Sequence, residues 1–111
     1  MTVVHIVLFK FKPDVDGNQT LEFVRGLKDR VPEVDTVQLG VNFNTERAKG
    51  FTHGFTMTFK DKGALDAYDK SQAHIDAVKE YIAPITEDLL IFDYEVENFS
   101  FPPPAPVTAD S

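Results

Sequence analysis

The segment from Val3 to Lys12 constrains the fold more than any other part of the chain. It is β-branched and aromatic almost throughout, and it is apolar on both faces until the lysines begin. Alternate residues of a strand face opposite sides, so the segment divides into one row of Val3, His5, Val7, Phe9 and Phe11 and another of Val4, Ile6, Leu8 and Lys10. Such a strand must be covered on both sides.

The rest of the chain predicts two helical regions and three more strands. An apolar helical stripe runs through Thr20–Val31 and ends before Pro32. A second helical region begins after the capping residue Asp61 and continues to Glu87, with Pro84 expected to kink or end it. The predicted strands, which alternate or are rich in β-branched and aromatic residues, are Val34–Phe43, Phe51–Lys60 and Leu89–Asn98.

This element order, β-α-β-β-α-β, predicts an α+β fold of the ferredoxin-like type, with a four-stranded antiparallel sheet and both helices on one face. The first strand is apolar on the other face as well, and a second copy of the sheet is the simplest cover for it. We therefore expect a homodimer that forms a dimeric α/β barrel through the sheet faces opposite the helices. Aliphatic residues of the first strand, together with Phe92 or Ile91, would contribute to this interface.

Composition and charge narrow the classes of partner. The net charge of −7 at pH 7 does not supply the basic surface that nucleic acids or anionic membranes require, so neither partner is expected. The absence of cysteine excludes a disulfide, a thiolate nucleophile and a cysteine-ligated metal. The first residues lack the basic stretch and long apolar run of a signal peptide, and we expect a cytoplasmic protein.

The C-terminal residues differ in composition from the rest. Phe101 to Ser111 contains several prolines and no core-forming pattern. We therefore expect one domain over residues 1–99 and a flexible proline-rich tail over residues 100–111.

Tyr68 and His74 lie within the second helical region and are the first candidates for chemistry. In a continuous helix their side chains would point roughly 120° apart, since each residue advances about 100° around the axis. Ser71 is a good N-cap for a new helix starting at Gln72, so we predict a break between the two residues. The alternative is an ordinary surface histidine on an amphipathic helix.

These residues resemble those of the stress-responsive dimeric α/β-barrel (Dabb) domain family, which includes olivetolic acid cyclase-type polyketide cyclases of plants. The resemblance covers about residues 2 to 97. It depends on four motifs in the same order, namely His5-Ile-Val-Leu-Phe-Lys-Phe-Lys, Gly50-Phe-Thr-His-Gly-Phe, Tyr68 followed by Ala73-His74, and Leu89-Leu-Ile-Phe-Asp-Tyr. Many members have His-Pro where this chain has Ser71-Gln72.

The resemblance implies that His74 and Tyr68 are a catalytic pair and that His5 and His53 line the same cavity. From the strand pattern alone, each of these two histidines on an apolar face could instead be a core residue with its polar atoms satisfied. Asp93 lies between apolar residues and could accept a hydrogen bond from Nδ1 of His74, or it could be an exposed acid on an edge strand. The three histidines show no spacing typical of a metal site, so no metal is expected.

The function that fits best is a cofactor-independent polyketide cyclase or lyase acting on a small hydrophobic carbonyl compound. His74 would be the general base and Tyr68 would donate a hydrogen bond to the developing oxyanion. The apolar part of the pocket would be lined by Val7, Phe23, Leu27 and Tyr81. The alternatives are a non-catalytic stress-responsive binding or structural barrel, and a cofactor-free monooxygenase on the same fold. A cavity of roughly 300 Å³ or more beside Tyr68 and His74 would favour an enzyme.

Overall fold

The computed structural model describes residues 1–97 of the 111-residue chain. The predicted tail, and the ends of the predicted domain and last strand, lie outside the described residues. The elements follow the predicted order and are β1 (Val3–Phe11), α1 (Gly17–Arg30), β2 (Val34–Val41), β3 (His53–Phe59), α2 (Lys62–Lys70), α3 (Gln72–Ala77), a π-helical turn (Val78–Ile82), a 3-10 turn (Ala83–Ile85) and β4 (Thr86–Glu95).

The strands form one antiparallel four-stranded sheet in the order β2-β3-β1-β4. This confirms the ferredoxin-like α+β fold, and β1 lies in the centre as its two apolar faces require. On one side His5 lies opposite Met57 of β3, and on the other it lies opposite Asp93 of β4. Since residues directly opposite each other face the same side of a sheet, this register determines which side chains can meet.

Element boundaries differ from the predicted ones where capping and proline chemistry act. The first helix begins at Gly17 rather than Thr20, because Asp16 caps it by accepting a hydrogen bond from the Asn18 amide. The second helical region ends at Ile85 and does not continue to Glu87. Pro84 has no backbone N–H group to donate to the preceding turn. The amide of Lys12 donates to the Ile85 carbonyl over 2.8 Å and ties this turn to the end of β1.

The hydrophobic core lies between the sheet and the helices. The inner row of β1 packs with Phe55, Met57 and Phe59 of β3 against Val24 and Leu27 of α1. Phe59 also contacts the ring of Tyr68 at a centroid distance of 5.3 Å. This layer buries the first of the two apolar faces of β1.

The opposite face of the sheet, called the open face below, has no helix of residues 1–97 packed against it. Leu90, Phe92 and Tyr94 of β4 lie on it beside the outer row of β1, and Phe92 has 56% of its surface exposed. Ile91 does not belong to this face, because it lies opposite Val7 on the side of the helices. Of the two residues predicted to contribute to the dimer interface, Phe92 lies on the open face and Ile91 does not.

No helix within the described residues is long and apolar enough to cross a membrane.

Replacing Ile6 by Glu tests whether a second copy covers the open face. Ile6 lies in the middle of this face, and a carboxylate there would be buried without a partner on dimerisation, at a cost of several kcal/mol. We expect the variant to be a folded monomer in light scattering where the native chain is a dimer. Ile75→Glu, on the exposed surface of α3, is the matched control and should remain dimeric. A native chain that is monomeric at high concentration would contradict this expectation.

Candidate active site

Tyr68 and His74 meet at the junction of α2 and α3. Tyr68 lies in the last turn of α2 and His74 in the first turn of α3, and their ring centroids are 4.6 Å apart with planes inclined by 49°. The two rings are therefore in contact, which a continuous helix would not allow. The predicted break between them is confirmed.

Ser71 creates this junction by capping both helices. Its hydroxyl donates to the Tyr68 carbonyl over 2.7 Å and accepts from the His74 amide at 3.1 Å. Its own amide also donates to the Tyr68 carbonyl, and its backbone is extended, with φ −65° and ψ 145°. One small hydroxyl residue thus ends α2 and starts α3, as its N-cap preference predicted.

The tautomer of neutral His74 follows from its hydrogen bond. Nδ1 of His74 lies 3.0 Å from the backbone carbonyl oxygen of Asp69. A carbonyl oxygen only accepts, so Nδ1 carries the hydrogen, and in the neutral ring Nε2 keeps its lone pair. The side chain is half-buried. His74 is therefore oriented with one nitrogen available to take a proton.

Asp93 does not orient His74, contrary to the predicted contact. Its carboxylate instead pairs with Nδ1 of His5, the residue directly opposite it on β1. His5 is buried, whereas Asp93 lies on the edge strand and is partly exposed. The backbone carbonyl of Asp69, and not the Asp93 carboxylate, accepts the hydrogen bond from Nδ1 of His74. This carbonyl carries no side-chain signal in the sequence.

Tyr68 is the most enclosed member of the site, with 1% of its surface exposed. Burial raises the pKa of the Tyr68 hydroxyl well above its ordinary value, and the neighbouring charge of Asp69 raises it further. The phenol therefore stays protonated and can donate a hydrogen bond. The ring of His5 lies edge-on to it at 6.0 Å, so His5, Tyr68 and His74 form one cluster.

His53 lies outside this cluster. It is opposite Phe9, and at the usual rise of a strand this places it about 13 Å along the sheet from His5. Nε2 of His53 donates to the Asn18 side-chain carbonyl over 3.2 Å, and Nδ1 accepts from the Thr52 hydroxyl at 2.6 Å. The structure thus places His53 in a link between β3 and the start of α1, and does not bring it into a common cavity with His5.

The four residues predicted to line an apolar pocket do not surround an open space. Val7 and Leu27 are buried in the core. Phe23 of α1 and Tyr81 of the π-helical turn stack on each other with centroids 4.2 Å apart and planes inclined by 22°. Tyr81 is half exposed, so this stacked pair lies at the surface between the two helical regions.

Two cavities stand out in the part of the chain that the structure describes. The larger, of about 560 Å³, lies on the open face and includes Leu8, Gly40, Gly54 and Leu90. The other, of about 350 Å³, lies between the start of β2 and the start of α2, near Pro32 and Asp61. Neither is lined by Tyr68 or His74. Among residues 1–97, no three histidine, aspartate or glutamate side chains are grouped so that they could hold a metal ion.

Residues 3–96 match the family model of the stress responsive A/B barrel domain. Because the match spans most of the chain, this protein belongs to the stress-responsive A/B barrel domain family. The resemblance inferred from the four sequence motifs is thereby confirmed.

The curated proteins to which this chain is similar include one cyclase and several stress-response A/B barrel domain-containing proteins. It is 30% identical to olivetolic acid cyclase of Cannabis sativa over 98 residues, which cover 85% of this chain and 96% of the cyclase. It is 26% identical over 102 residues to a stress-response A/B barrel domain-containing protein of Arabidopsis thaliana, covering 89% of this chain and 39% of that protein. The chain therefore spans less than half the length of the latter relative.

Solved structures show the same fold. Hydroxynitrile lyase from Passiflora edulis superposes with a TM-score of 0.79 at 25% identity, over 91% of this chain and 97% of the lyase. A dimeric ferredoxin-like protein from Jannaschia sp. superposes with a TM-score of 0.70 at 26% identity, over 86% of this chain and 100% of that chain. Relatives with this fold thus include a lyase and a protein that forms a dimer.

Ser71→Ala tests the junction that joins the two rings. The substitution removes both side-chain hydrogen bonds of the cap, and we expect it to lower the free energy of unfolding by about 1 kcal/mol, the usual cost of losing an N-cap. Urea unfolding would measure this change. Ser71→Thr keeps the hydroxyl and is the matched control. Equal stability of all three proteins would show that the hydroxyl does not hold the junction.

The link made by His53 predicts a dependence of stability on pH. Partial burial lowers the pKa of His53 from 6.5, while the charge of Asp16 opposes this shift. A lowered pKa means that the folded state prefers the neutral ring. The contribution of neutral His53 to the stability of the folded state is then complete above pH 6.5. It is lost as the pH falls through the lowered pKa of His53 in the folded state. His53→Gln should flatten the thermal stability profile in this range. An unchanged profile would contradict the assignment.

Proposed function

We propose that this protein is a cofactor-independent cyclase or lyase that acts on a small hydrophobic carbonyl compound. The observation that carries the proposal is the ring contact between His74, whose Nε2 has a free lone pair in the neutral ring, and Tyr68, whose buried hydroxyl group stays protonated. A base beside a neutral hydrogen-bond donor suits the removal of a proton next to a carbonyl. Both groups come from the chain itself, so this proton transfer needs no cofactor.

The cyclase reaction would use the two groups in sequence. Nε2 of His74 takes a proton from the carbon next to a carbonyl, while the Tyr68 hydroxyl donates a hydrogen bond to the enolate oxygen that forms. The enolate carbon then forms a bond with a second carbonyl carbon of the same molecule, and the oxygen of that carbonyl takes the proton back from His74. Ring closure is thus balanced in protons and electrons.

A lyase reaction would use the same base on a hydroxyl group. His74 takes the hydroxyl proton, the adjacent carbon–carbon bond breaks to leave a carbonyl, and the departing carbanion takes the proton from His74. Tyr68 would donate to the oxygen as its charge develops. Olivetolic acid cyclase and hydroxynitrile lyase, to which this chain is similar, are a cyclase and a lyase by name, and this supports the class of reaction without selecting a substrate.

Substrate would reach Tyr68 by separating the stacked rings of Phe23 and Tyr81. These rings lie at the surface between α1 and the π-helical turn, and Phe23 packs against the core cluster that includes Val7 and Leu27. A π-helical turn departs from the regular hydrogen-bond ladder and often marks functional positions in helices. Adjustment of this turn would open a pocket for an apolar chain, with Tyr68 at its inner end. His5, held by Asp93, is the further polar residue beside Tyr68.

A non-catalytic binding or structural protein is the second candidate, because one observation favours it. Tyr68 is enclosed by packed side chains, and neither described cavity reaches it or His74. A filled barrel of this kind would bind little at this position. In either case we propose that the protein is a homodimer through the open face, a proposal supported by the dimeric Jannaschia relative.

Substitution of the two site residues separates these candidates. The assay would follow conversion of a panel of linear poly-β-keto thioesters and aromatic cyanohydrins by the native dimer. His74→Ala should remove nearly all turnover, since it deletes the base. Tyr68→Phe should leave residual turnover, because losing one hydrogen bond of roughly 2–4 kcal/mol reduces the rate about 30- to 1,000-fold. Tyr94→Phe, on the open face, is the matched control for loss of a phenol and should keep the native rate.

The outcomes distinguish an enzyme from a binding protein. A folded His74→Ala dimer that converts its substrate at the native rate would move the chemistry to another residue of the cluster. Binding of panel compounds without any turnover, measured by calorimetry on the native dimer, would support the non-catalytic candidate instead.

A further inference from the structure

The strand β4, at one edge of the sheet, is only partly covered on the helix side. Its residues on that side lie opposite the buried inner row of β1, and they are Leu89, Ile91, Asp93 and Glu95. Glu95 pairs with a lysine of α2 over 2.9 Å, and Asp93 pairs with the histidine opposite it on β1. Leu89 and Ile91, in contrast, are 39% and 55% exposed. The apolar half of this row is therefore open to solvent.

The helical segment that passes beside this open row is α3 with the two turns that follow it. Contacts with β1 fix its course at both ends. At the start, the ring of His74 lies against Tyr68, whose ring lies against His5. At the end, the carbonyl of Ile85 accepts a hydrogen bond from the amide of Lys12. The segment therefore runs along β1, the neighbour of β4, from the level of His5 to the level of Lys12.

Two exposed apolar side chains on this segment face the open row. Ile75 and Val78 lie on the same helical stripe as Ile82, and Ile82 belongs to the core between the helices and the sheet. The stripe is therefore turned towards the sheet, yet Ile75 and Val78 are 46% and 36% exposed. They lie at about the levels of Ile91 and Leu89 along the strand. We call the apolar space between these two pairs the side groove.

The chain beyond the described residues begins close to one end of the side groove. Glu97 is the last described residue and follows β4 by two positions. The residues after it, 98–111, include Phe99, Phe101, four prolines and a valine, and they carry no charged side chain before Asp110. Charged residues would favour a solvated segment, whereas these apolar side chains are stabilised by leaving water. An apolar segment is therefore tethered beside an apolar groove that is open to solvent.

This segment is long enough to cover the groove. Leu89 precedes Glu97 by eight residues, which span about 26 Å at about 3.3 Å per residue of strand. An extended proline-rich chain advances about 3.1 Å per residue, so about nine residues that turn back at Asn98 reach the level of Leu89. Ala105 then lies near the level of Ile91. Because proline already holds the chain extended, docking would cost it little conformational entropy.

We propose that residues 98–107 turn back along β4 and dock in the side groove of the same copy. Attachment through a short linker keeps the segment at an effective concentration on the order of millimolar, which favours its own groove over that of another copy. The groove ends beside His5 and Tyr68, so the docked segment would lie over the outer edge of the candidate site. Under the proposed function, on which this last point rests, it would exclude water from the reacting groups.

The absence of cysteine from the native chain allows a direct test by disulfide formation in the full chain. The variant Ile91→Cys/Ala105→Cys should form a disulfide within one chain under mild oxidation. Mass spectrometry would show the loss of two hydrogens, and non-reducing electrophoresis would show a single-chain band. A disulfide needs Cα atoms closer than about 7 Å, a distance that the docked segment provides at this level of the strand.

The variant Asp66→Cys/Ala105→Cys is the matched control. Asp66 is an exposed residue one helical turn after Lys62, which pairs with Glu95 near the start of the segment. A segment that moved freely, as its composition predicts, would reach position 66 at least as readily as position 91. We expect disulfide formation in the control to be at least tenfold slower.

Three outcomes would overturn the proposal. Equal rates in the two double variants would show that the segment is not held in the groove. A disulfide only between copies would place the segment on the second copy. No disulfide at all in Ile91→Cys/Ala105→Cys would mean that something other than this segment occupies the groove. None of these measurements depends on turnover, so they remain decisive even if the proposed function is wrong.

A second comparison tests the apolar character of the docking. In the Ile91→Cys/Ala105→Cys chain, the further substitution Val107→Asp would place a carboxylate beside Leu89, so we expect disulfide formation to slow at least tenfold. Ala109→Asp adds the same charge beyond the end of the groove and should leave the rate unchanged. Equal rates for these two variants would contradict docking against the apolar walls.

Discussion

The structure depends on the pairing of β1, which lies between β3 and β4 and is apolar on both faces. Its inner row anchors the core beneath the helices, so that α1 and α2 must lie on that side. Its outer row leaves an apolar surface against which no helix of residues 1–97 packs, and this surface is the physical reason to expect a second copy. The same pairing sets His5 opposite Asp93, which allows a histidine to be buried within an otherwise apolar row.

The site depends on a second, local constraint at Ser71. Because its hydroxyl bonds on both sides, α2 ends and α3 begins within a single residue, and the rings of Tyr68 and His74 come into contact. A phenol kept protonated by burial then lies against an imidazole whose Nδ1 is held by a backbone carbonyl. The arrangement combines a proton acceptor and a neutral donor, which is the pairing that enolate chemistry requires.

The close packing of side chains around Tyr68 hinders the access of a small molecule to its hydroxyl group. Tyr68 is almost fully enclosed, and the rings of Phe23 and Tyr81 stack on each other at the surface between the two helical regions. The π-helical turn that carries Tyr81 departs from regular helix geometry, and it is followed by the proline-containing turn that leads into β4. Under the proposed function, substrate would bind by local rearrangement of this turn, whereas the cavity on the open face is already formed.

The element order, the central place of β1 and the helix break at Ser71 could all be predicted from the sequence, because alternation, capping and helical periodicity act over a few residues. Three contacts could not be predicted in this way: Asp93 pairs with His5 instead of His74, His53 lies with Asn18 away from the cluster, and the rings of Phe23 and Tyr81 stack on each other. These contacts depend on strand register and on the distance between helices, which join residues far apart in the chain and leave no mark in any local pattern.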